Sequence, residues 1–143
     1  MIILGTNVIS ELMRSTPHPA VRAWMNSQSR DSLLTTAITV MQLRSRVEKL
    51  LKSRRRRELE ADIDWALSDP IGNRVLSYDR EAVFATAKWS GVCRRAGRPR
   101  STSDMQIAGV AISRNIPIAT RDVHDFQGIS VKLINPWDMP VAA

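Results

Sequence analysis

The chain has 143 residues, about 43% hydrophobic and 24% charged, with 6 Gly and 7 Pro. That is enough for one globular domain and short of two, and the composition excludes disordered and collagen-like chains. The formal net charge of +7 and sequence pI near 10.7 point to a polyanionic partner, nucleic acid first, or to an acidic protein drawn by the same field. A charge that serves solubility alone is the bland alternative.

No apolar run approaches the ~20 residues that cross a bilayer, so no membrane association is expected. Met1-Ile2-Ile3-Leu4 lacks a basic lead and a long apolar stretch, and no secretory signal is expected. The single Cys93 forms no intramolecular disulfide, which fits a reducing, cytoplasmic setting.

Met1–Leu4 reads as a buried strand, followed by Val8, Ile9, Leu12 and Met13 at helical spacing. Pro17 and Pro19 break the chain before a second helix with Val21, Trp24 and Met25 on one face. Ser32–Thr36 reads as a strand. A helix follows with Val40, Leu43, Val47 and Leu50, and Thr39 with Gln42 has the pattern of a capping box at its start. Another helix covers Arg56–Leu67. Val75–Tyr78 is a short strand, and Asp79 caps a helix carrying Ala82, Ala85, Trp89 and Val92. Ala96-Gly97-Arg98-Pro99 ends it. Ser101 and Asp104 open a last helix with Ile107, Ala108 and Ala111 on one face. Ile116–Thr120 and Val131–Ile134 complete the strands, Pro117 marking a strand start or an edge. Strands alternating with helices predict an α/β fold with a mainly parallel sheet, and such sheets bind ligands beyond the carboxyl ends of their strands.

Two acids stand out for that edge. Asp104 continues the apolar stripe of its helix at the N-terminus, where a plain cap acid also sits. Asp122 follows a strand by two residues, with His124 and Asp125 behind it; a turn residue reads the same way. Two carboxylates at one edge repel unless a cation lies between them, and Mg²⁺ with oxygen ligands suits phosphodiester hydrolysis. Arg54–Arg57, followed by Glu58 and Glu60, reads as a solvated face. Arg94, Arg95, Arg98 and Arg100 precede Asp104 around a Gly-Pro turn, as phosphate-positioning residues or a plain surface loop. Trp24, Trp65, Trp89 and Trp137 read as core anchors rather than base-stacking platforms. No P-loop, dinucleotide fingerprint, zinc pattern or Ser/His/Asp arrangement is evident.

Met1–Glu11, Thr36-Ala37-Ile38-Thr39-Val40, Ser101-Thr102-Ser103-Asp104, Ala119-Thr120-Arg121-Asp122 and Asn135-Pro136-Trp137 resemble, in order and spacing, the PIN-domain toxins of the VapC type, nearest the FitB-like branch. The likeness runs from residue 1 to about 137, making residues 1–137 a single PIN-like domain and 138–143 a C-terminal tail. It implies a three-layer α/β/α sandwich, RNA cleavage dependent on Mg²⁺ or Mn²⁺, a toxin–antitoxin operon, homodimers, and a cognate antitoxin that fills the active-site groove. The family's metal-binding acids fall on positions 5, 42, 104 and 122. Asp104 and Asp122 match, whereas Gly5 and Gln42 stand where the family has Asp and Glu, and Thr6 fits the hydroxyl beside the first acid. The resemblance thus implies metal held by Asp104 and Asp122, a neutral contact from Gln42, and RNA steered by Arg94, Arg95 and Arg98.

Losing a carboxylate from a hard-cation site costs at least the ~10–100-fold of outer-shell losses. The expectation is a PIN fold with severely reduced ribonuclease activity. The alternative is a non-catalytic module binding antitoxin or RNA; side-chain types also leave open a nuclease acting on DNA.

Overall fold

A computed structural model describes residues 1–141. In chain order the elements are β1 (Ile2–Leu4), α1 (Thr6–Leu12), α2 (Pro19–Ser27), β2 (Leu33–Thr36), α3 (Ala37–Glu48), α4 (Arg54–Ser68), β3 (Val75–Leu76), α5 (Arg80–Arg95), α6 (Thr102–Arg114), β4 (Ile118–Ala119) and β5 (Leu133–Ile134). Short 3-10 turns cover Arg30–Ser32, Val123–Phe126 and Pro136–Asp138. The five strands are all parallel, in the order β3-β2-β1-β4-β5.

The alternation of strand side chains builds two cores. Ile3, Leu34 and Ile118 face one side and pack with Trp89, Cys93, Ile107 and Val110 of α5 and α6. Their neighbours Leu4, Leu33 and Ala119 face the other side, against Val8, Trp24, Leu43 and Ile63 of α1–α4. This is the expected α/β/α sandwich. Gly109 lets α5 and α6 approach closely: a Cβ there would lie 1.9 Å from Thr86 Oγ1 and 2.6 Å from the Ala82 carbonyl oxygen. Packing runs on past Trp137, since Met139 sits against the second core. Ala142 and Ala143 of the expected tail lie outside the described residues.

Several local expectations are corrected. β2 runs into α3 without a loop, so the cap falls on the strand's last residue: Thr36 Oγ1 accepts from the Thr39 N–H at 3.1 Å. Thr39 is buried in the first turn, and Gln42 is turned toward α1 rather than back to a cap. Pro117 precedes β4, which lies between β1 and β5; its carbonyl accepts from Ile3 N, so the strand-start reading holds and the edge reading does not. Trp24 and Trp89 are buried, but Trp65 is 47% exposed because Ile63 and Ala66 take the inward face of α4. Trp137 is half-buried, with the Arg121 guanidinium 5.2 Å from its ring. Val92 is exposed, and Cys93 fills that turn of the α5 stripe. Arg56 departs from the solvated face: it pairs with Glu48 and Glu60 and donates to the Leu50 carbonyl.

Candidate active site

Strands leave β1 in opposite directions across the sheet, β2 and β3 to one side, β4 and β5 to the other. The reversal between β1 and β4 opens a crevice at their carboxyl ends, where open α/β sheets bind ligands. A cavity of about 200 Å³ lies there, lined by Gly5, Thr6, Gln42, Asp104 and Asp122 together with Asn7, Arg46 and Thr120. Positions separated by more than a hundred residues thus share one wall.

Each arrives by a simple local device. Gly5 follows β1 directly and sits at the N-cap of α1 with φ −73° and ψ 167°, ordinary extended backbone. Its N–H donates to the Ala119 carbonyl at 2.9 Å, tying the ends of β1 and β4 together. Thr6 opens α1, and its hydroxyl donates to Gln42 Oε1 at 2.5 Å. Asp104 lies in the first turn of α6, where its N–H donates to Ser101 Oγ at 3.1 Å. Asp122, beyond β4, is held by two contacts: its own N–H donates to Thr120 Oγ1 at 3.0 Å, and Asn7 Nδ2 donates to its Oδ2 at 2.9 Å.

Burial pushes the Asp104 carboxyl up from its usual range; a hydrogen bond from Ser101 opposes this, and the charges of Asp125 and Asp122 reinforce it. Arg100 pulls it weakly the other way. The Arg100 Nε and Nη2 atoms are buried without a hydrogen-bond partner among the described residues.

The five positions expected at the site, Gly5, Thr6, Gln42, Asp104 and Asp122, all line the cavity. Arg94, Arg95 and Arg98 are exposed and do not line it. Asn7 and Arg46 were missed as site residues. Asn7 lay inside the Gly5-Thr6-Asn7 segment, and Arg46 lay one helical turn after Gln42, the spacing that puts two side chains on one face.

The residues present do not fit a preformed Mg²⁺ site. Position 5 has no side chain, the Gln42 oxygen is engaged by Thr6, and one Asp122 oxygen is engaged by Asn7. Among the described residues no three His, Cys, Asp or Glu side chains come together as a metal cluster. A small hard dication favours carboxylate oxygens that are free to meet an octahedral shell, and this ring offers two carboxylates.

The PIN domain family model matches residues 2–131. The chain is 35% identical to plasmid stability protein StbB of Pseudomonas syringae pv. tomato over 138 residues, 96% of this chain and 99% of that protein. It is 33% identical to VapC ribonuclease Y4jK of Sinorhizobium fredii over 138 residues, with the same 96% and 99% coverage. Among solved structures it resembles FitAcB from Neisseria gonorrhoeae, with a TM-score of 0.86 and 31% identity over 97% of this chain and 100% of that one. It likewise resembles FitAB bound to an IR36 DNA fragment, with a TM-score of 0.87 and 30% identity over 98% of each chain. The chain belongs to the PIN-domain family.

Proposed function

We infer that this chain is the toxin component of a toxin–antitoxin module, with a site shaped for RNA and hydrolysis severely reduced as the chain stands. One observation carries the reading: four positions from β1, α3, α6 and the β4 loop ring a single cavity, and two of them lack a carboxylate. The relatives named ribonuclease and toxin, and the neighbours solved as toxin–antitoxin complexes, support an RNA substrate and a cognate antitoxin as partners. Homodimerisation belongs to the same reading.

In this site Asp104 and Asp122 are the anionic groups facing the substrate, and Asn7 and Thr120 fix the Asp122 carboxylate in place. Thr6 orients Gln42, which offers the substrate its amide N–H₂ because its oxygen already accepts. With no cation between them, the two carboxylates repel a phosphodiester, so this set neither holds the phosphate alone nor activates water strongly. The engaged Gln42 favours the second reading, a PIN module that occupies antitoxin or RNA without cutting.

Incubation with structured RNA and Mg²⁺ or Mn²⁺ separates the readings, using the chain as given, Gly5→Asp, Gln42→Glu and the double variant. Little cleavage by the chain and a gain of at least ~10–100-fold on Gly5→Asp is expected. Equal cutting by all four forms would reject this account of the site; RNA binding without cutting in all four selects the module.

A further inference from the structure

Arg46 stands on α3 one turn beyond Gln42 and lines the same cavity as Asp104 and Asp122. Two helices meet there in matched steps. Thr6 and Ser10, four apart on α1, face Gln42 and Arg46, four apart on α3: the Thr6 hydroxyl donates to Gln42 Oε1, and Arg46 Nη1 donates to Ser10 Oγ at 2.7 Å. The second step fixes the guanidinium without neutralising it, because its acceptor is a neutral hydroxyl.

No ion pair among the described residues includes Arg46. Arg44, two residues earlier, differs: its guanidinium is paired with Asp64 at 2.6 Å. A guanidinium carries five N–H donors in a planar fork, and Ser10 engages one of Arg46's. The free edge matches the oxygens of a phosphate, which such forks bind with two parallel hydrogen bonds. Arg46 is also the one cationic side chain among the described residues lining the cavity.

The same side chain lines a neighbouring depression of about 440 Å³ between α3 and α4, where Arg55 and the acids Glu58 and Asp62 stand with Leu50 and Leu59, so the cations Arg46 and Arg55 are what a phosphate chain would follow there. A polymer passing from one hollow to the other crosses the Arg46 guanidinium, whereas a small anion needs only one hollow. We propose that Arg46 is a phosphate-positioning residue of the cleft, holding a backbone phosphodiester of single-stranded RNA without any divalent metal. The inference deepens the RNA reading given above and rests on it.

Binding of a labelled single-stranded RNA to the full chain, followed by fluorescence anisotropy in EDTA across a salt series, tests it. Arg46→Met is expected to weaken binding about tenfold, the scale of a hydrogen bond to a charged group, and to reduce the slope of log K against log salt by about 0.7. Arg46→Lys should keep the slope. Arg22→Met, which removes the same charge from an exposed position on α2 lining a different cavity, should leave affinity and slope near those of the parent.

A parallel titration with inorganic pyrophosphate, read by NMR at the arginine Nε–H groups, should shift Arg46 and not Arg22. It also covers the case in which a substituted chain folds poorly. An Arg46→Met protein that binds RNA with unchanged affinity and slope overturns the proposal and leaves the RNA reading standing. A pyrophosphate shift at Arg46 without RNA binding supports the cationic site and overturns the RNA reading. Silence toward both probes overturns both.

Discussion

Placing acids at the two neutral positions of the ring, Gly5→Asp with Gln42→Glu, should make the metal-free protein less stable. Gly5 already has φ −73° and ψ 167°, so an L side chain meets no backbone strain. Losing glycine's freedom in the unfolded chain favours the variant by about 0.4–1 kcal/mol. Against this, a Cβ at position 5 would sit 3.1 Å from the Ala119 carbonyl oxygen, a tight contact with backbone that cannot swing away. The new carboxylates also join Asp104 and Asp122 around one cavity. Two like charges ~8 Å apart at an effective dielectric near 20 repel by about 2 kcal/mol, roughly halved by physiological salt. The net expectation is a loss of about 1–3 kcal/mol, or a fall in Tm of about 3–8 °C for a domain of this size. Calorimetry in EDTA measures it, with Gly5→Asn and Gln42 intact as the neutral control of similar shape. Millimolar Mg²⁺ should then recover about 2.7 kcal/mol in the double variant at a hundred times its Kd, and almost none in the parent chain. An equal or higher Tm for the double variant in EDTA, or an equal Mg²⁺ response in both, would refute the reasoning.

Two further outcomes follow from the packing and the charges. Gly109→Ala should destabilise the fold by about 1–3 kcal/mol despite alanine's better helix propensity, because α5 and α6 must separate to clear Thr86 and the Ala82 carbonyl; chemical denaturation checks this, and a stabilised variant contradicts the close approach. Asp104→Asn tests the raised carboxyl: a folded-state pKa above 3.8 means the native chain holds its proton better than the unfolded one, so the parent loses stability as pH rises through the folded value. The Tm advantage of the Asn variant should therefore grow as pH rises above 3.8 and vanish below it, and a difference constant across the titration would contradict burial as the cause.

The fold was legible because its signals are local and repeated. Ile3 with Leu4, Leu33 with Leu34 and Ile118 with Ala119 each present adjacent apolar residues to opposite faces, which is what a strand covered on both sides requires. Asp79 and Ser101 cap their helices as their spacing predicts. The failures come where tertiary context decides. Thr36 and Thr39 are equally good caps in sequence, and only the direct passage from β2 into α3 selects Thr36. Trp65 sits among apolar neighbours on α4, but a helix lying on one layer buries only the face that Ile63 and Ala66 occupy. Asp104 and Asp122, expected at the carboxyl edge of the sheet from their places at a helix start and a strand end, both line the cavity there. Arg46 was not expected there, since nothing in a polar face of α3 marks which arginine has a carboxylate partner and which has a serine.

The architecture explains how the fold tolerates neutral residues at positions 5 and 42 of the ring. The polar ring around the cavity stands on the carboxyl edge of the sheet, none of its members in either apolar core, although Ile107, Ile118 and Phe126 of one core also line the cavity. Its side chains are held by hydrogen bonds among themselves, Thr6 to Gln42 and Asn7 to Asp122, rather than by packing. Replacing an acid there opens no cavity in a core and leaves no buried charge unpaired, the two mechanisms behind most large losses of stability. Removing carboxylates from a crowded edge relieves repulsion at the same time. The fold therefore gives no reason for an acid at positions 5 and 42, and at position 5 the nearby Ala119 carbonyl favours the glycine. A glycine and a glutamine at those positions leave the scaffold intact, with the Arg46 guanidinium in the cavity wall as its one cation among the described residues.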